Sequence, residues 1–220
     1  YNYRQLKLAL KSRWDFRTEG DTEVILAGLI LEGRDFLKKM SGMWSIILWD
    51  NLNQELLLSR DRFGKKPLYY YQSKNEFAAA SEIPALKTLL PDVEFCESSE
   101  QVVDFIRHGF FRPGKTIYKT IFEVLPGHCT TINFKQSDCN QESYWKLKPR
   151  GFQGSKADAE AQFKELFLKS LKQRLVADVE VGCLLSGGVD SSLISSCLKK
   201  EFGISLRTFT ASYILLSFSI

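Results

Sequence analysis

VEVGCLLSGGVDSS, residues 179–192, is the stretch around which this chain is organised. It opens with β-formers and small apolar residues, passes through a Ser-Gly-Gly turn, and reaches a helix start at Ser191-Ser192-Leu193-Ile194. A strand that enters a glycine-rich loop and leaves as a helix presents backbone N–H groups to phosphate. The glycines let the main chain approach closely, and the helix N-terminus adds partial positive charge. A Walker A loop would need a Lys beside its Ser or Thr. This loop carries Asp190 and no Lys. Nor is it the three-glycine dinucleotide fingerprint, because only Gly187 and Gly188 occur in it.

At Ser186-Gly187-Gly188-Val189-Asp190-Ser191-Ser192 the chain instead resembles the pyrophosphate loop of the ATP-dependent synthetases that release pyrophosphate, a family that includes asparagine, argininosuccinate and GMP synthetases. In that family the loop grips the leaving pyrophosphate while a carboxylate or carbonyl oxygen attacks the α-phosphate. Charge distributes the roles. Ser186, Gly187, Gly188 and Ser192 would donate hydrogen bonds to phosphate oxygens, and Asp190, an anion beside an anion, would hold Mg²⁺ between them.

Around the loop the pattern is that of one βαβ unit. Ser155 and Asp158 form a capping-box-like start, and Phe163, Leu166, Phe167, Leu171 and Leu175 recur at helical spacing. After the loop, Leu193, Ile194, Cys197 and Leu198 would form the inward face of a helix that Gly203 ends, and residues 206–210 read as the next strand. Residues 149–155, Pro-Arg-Gly-Phe-Gln-Gly-Ser, read as a linker.

The upstream part reads differently. A short amphipathic helix through Leu6 and Leu10 is followed by Gly20-Asp21-Thr22-Glu23 and a second helix, with Asp21 placed to cap it and Gly33 to end it. From Met43 to Glu82 the periodicity is that of strands. Residues 44–49 and 55–59 flank a turn at Asp50-Asn51-Leu52-Asn53, and residues 68–72 and 77–80 flank another at Ser73-Lys74-Asn75. The connection Arg60-Asp61-Arg62-Phe63-Gly64-Lys65-Lys66-Pro67 reads as a solvated loop or an interface. Residues 97–108 read as a helix capped near Ser98 or Ser99, with Val102, Val103, Phe105 and Ile106 turned inward and Gly109 at its end. His128 has no Ser or Cys nucleophile motif to pair with and reads as structural or interfacial.

These segments extend the resemblance. Tyr1-Asn2-Tyr3-Arg4, Gly20-Asp21-Thr22-Glu23, Gly42-Met43-Trp44 through Leu48-Trp49-Asp50, Arg60 through Tyr70, Ala80-Ser81-Glu82, Leu125-Pro126-Gly127-His128 and Tyr144-Trp145 follow one another as in glutamine-hydrolysing asparagine synthetase. The resemblance implies an incomplete α+β antiparallel sandwich, class II amidotransferase-like, at residues 1–148. A truncated start of the synthetase domain, the first βαβ unit of an α/β parallel-sheet pyrophosphate-loop domain, is implied at 149–220.

The family's glutaminase uses an N-terminal Cys as nucleophile and an Asn-Gly oxyanion hole. Both lie upstream of the Tyr-Asn motif, so no catalytic residue carries over, and the chain alone is expected to be inactive. Asp21 carries over as the contact to the glutamine amino group. Leu185, Ser186, Gly187, Gly188, Asp190, Ser191, Ser192 and Ala211 carry over as the ATP and pyrophosphate contacts, with Asp190 on the metal. The implied cofactors are ATP and Mg²⁺. The implied reaction converts aspartate and glutamine to asparagine through β-aspartyl-AMP, and the family makes a homodimer plausible; the cytoplasm is expected by default, since no membrane or export pattern is found. Two other readings stay open: a related amide synthetase with a different carboxylate acceptor, and an inert binding module. The apolar end at residues 211–220 departs from the family pattern and reads as a truncation, a frameshift or an intron read-through.

Composition agrees with a folded chain. Of 220 residues 44% are hydrophobic, enough for a packed core. The 30 basic and 26 acidic residues are interspersed rather than clustered, which points away from a nucleic-acid partner. No uncharged apolar run reaches about 18 residues, and no signal-peptide pattern opens the chain, so no membrane is expected. Five unevenly spaced cysteines without a C-x-x-C pair read as reduced thiols, with Cys183 and Cys197 as small core residues.

Overall fold

Asp50 turns the first hairpin. Its carboxylate accepts the N–H groups of Leu52 and Asn53 at 2.9 and 3.1 Å, closing the chain between β1 (Ser45–Asp50) and β2 (Glu55–Arg60). The computed structural model describes residues 1–73, 76–136 and 138–211. The second turn, at Ser73-Lys74-Asn75, falls partly outside them, and the apolar end falls outside from residue 212 on. The chain divides into two compact units, Asn2–Lys148 and one that holds the residues from Pro149 on.

In the first unit two antiparallel sheets are built. One has the order β1-β2-β6-β7, with β6 at His128–Asn133 and β7 at Asp138–Ser143. The other has the order β4-β3-β5, with β3 at Tyr69–Gln72, β4 at Phe77–Ala80 and β5 at Ile121–Glu123. The period-2 pattern of β2 and β6 sorts their side chains to opposite faces. Leu58 and Ile132 meet Leu68 and Val124 between the sheets. Leu57 and Cys129 instead face a helical layer of α1 (Tyr3–Leu10), α2 (Asp21–Glu32), a short 3₁₀ turn at Gly33–Asp35 and α3 (Phe36–Lys39). On the far side Ala78 and Ile121 pack on Leu86 of α4 (Ile83–Leu89). The result is a sandwich of antiparallel sheets with helices on both outer faces. Truncating fully buried Leu58 to Ala should cost about 2–5 kcal/mol.

Gly28 shows how closely the helices pack. A Cβ there would lie 2.2 Å from the Phe36 ring, so only glycine lets α3 fold against α2.

Three expectations change here. Asp21 does not cap α2: Gly20 is the N-cap and Asp21 is the first helical residue, where its charge still complements the helix dipole. Helix α5 (Ser99–His108) is capped by Ser98 as read, but Val103, Phe105 and Ile106 are exposed rather than turned inward. Its amphipathic pattern specifies a face and not what covers it. The connection after β2 is not a solvated loop at its start. Asp61 is 1% exposed because its carboxylate collects the N–H groups of Trp44, Phe63, Lys65 and Lys66 at 3.0–3.3 Å. Buried Arg60 donates to the carbonyls of Lys66, Gly64 and Val124 and pairs with Glu123 at 2.7 Å. Charge burial is tolerated where every donor and acceptor is met.

In the second unit, α6 (Lys156–Arg174) begins with a complete capping box between Ser155 and Asp158. Strand β8 (Gly182–Leu184), helix α7 (Val189–Phe202) and strand β9 (Arg207–Phe209) follow, with β8 and β9 parallel and Cys183 opposite Thr208. Leu171 and Leu198 are buried, whereas Leu193 is about half exposed and Cys183 and Cys197 are only partly buried, so the expected inward face and core thiols hold in part. A two-stranded sheet with one face of helix has too little surface to cover every apolar side chain.

Candidate functional site

The loop between β8 and α7 lies at the carboxyl end of its strand, where open α/β sheets bind ligands. Helix α7 starts at Val189, two residues before the expected position. Gly188 takes the extended N-cap conformation (φ −76°, ψ 164°), and Asp190, favoured in a first turn, follows directly. The N–H groups of Val189, Asp190 and Ser191 therefore have no acceptor within the helix. Gly187 has φ +80°, a conformation that side chains disfavour, and nothing within 4 Å of where its Cβ would stand. The space before the loop is open.

Its hydroxyls are arranged against the backbone. Ser191 Oγ accepts the Ser186 N–H at 3.2 Å, lies 3.1 Å from Ser186 Oγ, and donates to the Gly188 carbonyl at 3.2 Å. Gly188 N–H donates to Ser186 Oγ at 3.4 Å, and Ser192 N–H donates to the Gly188 carbonyl at 3.1 Å. Leu185 is tied to the end of β9: its N–H donates to the Phe209 carbonyl and its carbonyl accepts from Thr210 Oγ1, both at 2.8 Å. Ala211, exposed, is the residue after Thr210. The structure thus gathers Leu185 through Ser192 and brings residues 209–210 beside Leu185. The Asp190 side chain is exposed at the helix mouth.

Asp21 belongs to the other unit. It is exposed at the first turn of α2, beside a strap formed by residues 14–18. Glu23 holds that strap. Its carboxylate accepts Thr18 Oγ1 at 2.6 Å, Thr18 N–H at 2.7 Å, Arg17 N–H at 3.0 Å and Trp14 Nε1–H at 3.3 Å. These bonds, the Thr18 hydroxyl first and the Arg17 amide next, lower its pKa to about 2. The sequence motif Gly20-Asp21-Thr22-Glu23 does not by itself give Glu23 this role. The available signal was an acid at the third helical position, which usually reaches back to the N-cap. A cavity of about 860 Å³ opens between α1 and residues 11–19, lined by Tyr3, Lys7, Trp14, Phe16 and Glu19 among others, but not by Asp21.

His128 Nδ1 lies 2.8 Å from the Pro126 carbonyl, a contact that fixes the turn before β6. Sequence comparison decides the wider assignment. The glutamine amidotransferase domain model matches residues 1–145.

The chain belongs to the glutamine amidotransferase domain family.

A second model, asparagine synthase, matches residues 162–215, the segment that contains the loop. Glutamine-hydrolysing asparagine synthetase 3 of Bacillus subtilis is 32% identical over 219 residues, a match covering 97% of this chain and 35% of that protein. Amidase chry2 of Gibberella zeae is 30% identical over 200 residues, covering 89% of this chain and 29% of that protein. Among solved structures, the glutamine phosphoribosylpyrophosphate amidotransferase of B. subtilis aligns with a TM-score of 0.45 at 16% identity, over 95% of this chain and 43% of that one. The chain spans about a third of the length of the curated relatives it matches. Among the described residues, no helix is long and apolar enough to cross a membrane.

Proposed function

We propose that this amidotransferase-family chain carries part of the machinery of a glutamine-hydrolysing asparagine synthetase, with ATP, aspartate and glutamine as substrates. The observation that carries the reading is the loop of residues 185–192, which has an open face, free first-turn amides and a left-handed glycine, inside the segment that the asparagine synthase model matches.

Residues of the chain divide the work as follows. The N–H groups of Gly187, Gly188 and the first turn of α7 would donate to oxygens of the β- and γ-phosphates of ATP, whose charge the helix N-terminus favours. That environment stabilises pyrophosphate as it leaves, when aspartate's β-carboxylate attacks the α-phosphate to give β-aspartyl-AMP. Ser186, Ser191 and Ser192 supply the loop's hydroxyls; those of Ser186 and Ser191 bond to each other, and that of Ser192 is exposed. Leu185 has its N–H committed to β9, so it would meet adenosine through its side chain. Ala211 would lie near the adenine edge of the same site.

A magnesium ion fits this loop as a partner of the phosphates. Asp190 offers one exposed carboxylate, and no group of three or more His, Cys, Asp or Glu side chains is gathered for a metal among the described residues. Hard Mg²⁺ that keeps waters and binds one carboxylate plus phosphate oxygens suits such a donor set. Bound there, it would neutralise charge on the leaving group. Asp21, at the positive end of α2, would hold the amino group of glutamine, and homodimerisation belongs to the same family reading.

A second reading, a related amide synthetase with a different carboxylate acceptor, stands beside the first, since the relatives include a protein named amidase chry2 as well as asparagine synthetases. One experiment separates them. ATP–pyrophosphate exchange by the native protein, purified from its source, should depend on aspartate. Exchange that needs a different acid would select the second reading, and no exchange with any acid would remove both.

A further inference from the structure

The loop's two adjacent serines have different surroundings. A hydroxyl has one hydrogen to donate and two lone pairs. Ser191 Oγ meets three groups: Ser186 N at 3.2 Å, Ser186 Oγ at 3.1 Å and the Gly188 carbonyl at 3.2 Å. With its hydrogen on Gly188 and its lone pairs on the N–H and O–H of Ser186, its capacity is filled. Ser186 Oγ then accepts from Gly188 N–H at 3.4 Å, closing the set. Ser192 contrasts with this. Its side chain is exposed, and no side-chain hydrogen bond ties it to the described residues.

A second tie holds the same turn from the strand side. Ser195 Oγ donates to the Ser191 carbonyl at 2.9 Å, and Cys183 Sγ of β8 lies 3.2 Å from Ser195 Oγ. Ser191 is thus joined to the loop through its side chain, and to the strand through its main chain by way of Ser195 and Cys183.

We propose that Ser191 is a positioning residue that clamps the loop through Ser186 and Gly188, while Ser192, the serine already assigned to phosphate, keeps its hydroxyl unengaged. The proposal rests on the phosphate-loop reading for its ligand, but the clamp itself exists without one. A filled hydroxyl cannot donate to phosphate unless it first gives up the Gly188 carbonyl. An unengaged one can donate at once. Holding the loop before the ligand arrives lowers the ordering cost of binding.

The test uses the 220-residue chain, its S191A, S191T and S192A variants, amide hydrogen exchange without ligand, and titration with inorganic pyrophosphate and Mg²⁺. In S191A the Ser186 amide should exchange about five- to tenfold faster, as expected for one lost hydrogen bond. S191T should restore the wild-type rate. S192A should leave that rate unchanged while weakening pyrophosphate binding. Unchanged Ser186 exchange in S191A, with or without a loss of pyrophosphate affinity, overturns the clamp, and a loss would make Ser191 a direct ligand. If the unsubstituted chain binds no pyrophosphate, the phosphate-loop reading fails, and with it the role given to Ser192. The ligand-free exchange rates still decide the clamp.

Discussion

Tyr144 Oη donates a 2.7 Å hydrogen bond to the backbone carbonyl of Arg60, 84 residues earlier in the chain. Its ring stacks on Trp44 with centroids 6.1 Å apart, and Trp44 Nε1–H in turn reaches Ser59 Oγ at 3.3 Å. Burial, and then the nearby Asp61 charge, push the ionisation of Tyr144 well above its usual value, so the phenol stays a donor at any ordinary pH. Tyr144→Phe keeps the stack and removes only the donor. The loss should be about 1–2 kcal/mol, because a buried carbonyl loses a partner. All four tryptophans lie in the Asn2–Lys148 unit, so tryptophan fluorescence in urea reports on this unit alone.

Asp61 should be less tolerant. Its two oxygens each serve two backbone N–H groups, Oδ1 those of Phe63 and Lys65, and Oδ2 those of Trp44 and Lys66. Asn cannot reproduce this, since its amide nitrogen would point a donor at two donors. Asp61→Asn should cost about 3 kcal/mol or more, in the range for leaving several buried groups unmet. A urea midpoint within error of the unsubstituted chain would show that these contacts contribute little.

Glu23 links the strap of residues 14–18 to acid. A carboxylate whose folded pKa is depressed gives stabilisation that is complete above its unfolded value and fades as pH falls toward the folded one. For Glu23 that window runs from about 4.5 down to about 2. Protection of the Thr18 amide from exchange, and the Trp14 indole N–H resonance, should therefore hold at pH 5 and decline across the window. Glu23→Gln should lower Thr18 protection at pH 5 and remove most of the pH dependence.

How much of this was legible in the sequence depends on whether the signal was local. The Ser155–Asp158 capping box, the Gly33 and Gly203 helix ends, the Asp50 hairpin turn and the strand–loop–helix order around Gly187 are each decided within a few residues, and the structure shows each of them. The failures needed distant partners or exact backbone angles. Arg60 reads as solvated until the Val124 carbonyl and Glu123, more than sixty residues away, are seen to satisfy it. Phe105 and Ile106 read as inward because periodicity marks a face, but nothing in the pattern says whether another element packs there. The α7 start lies two residues before the expected one because Gly188 takes the N-cap conformation itself, a backbone angle that the residue types do not reveal. Site chemistry was legible as residue types, a phosphate role for Ser192 included, and the engagement of the Ser191 hydroxyl was not, since it depends on where its three hydrogen-bond partners lie.

The most direct test of the central claim is a titration of the isotopically labelled chain with pyrophosphate and Mg²⁺, followed through its backbone amide resonances. The account predicts shifts concentrated at residues 185–192, largest at Gly187, Gly188 and the first turn of α7, strengthened by Mg²⁺ and losing that enhancement in Asp190→Ala. Shifts absent from these residues, or centred elsewhere on the chain, would contradict the assignment of the loop to phosphate.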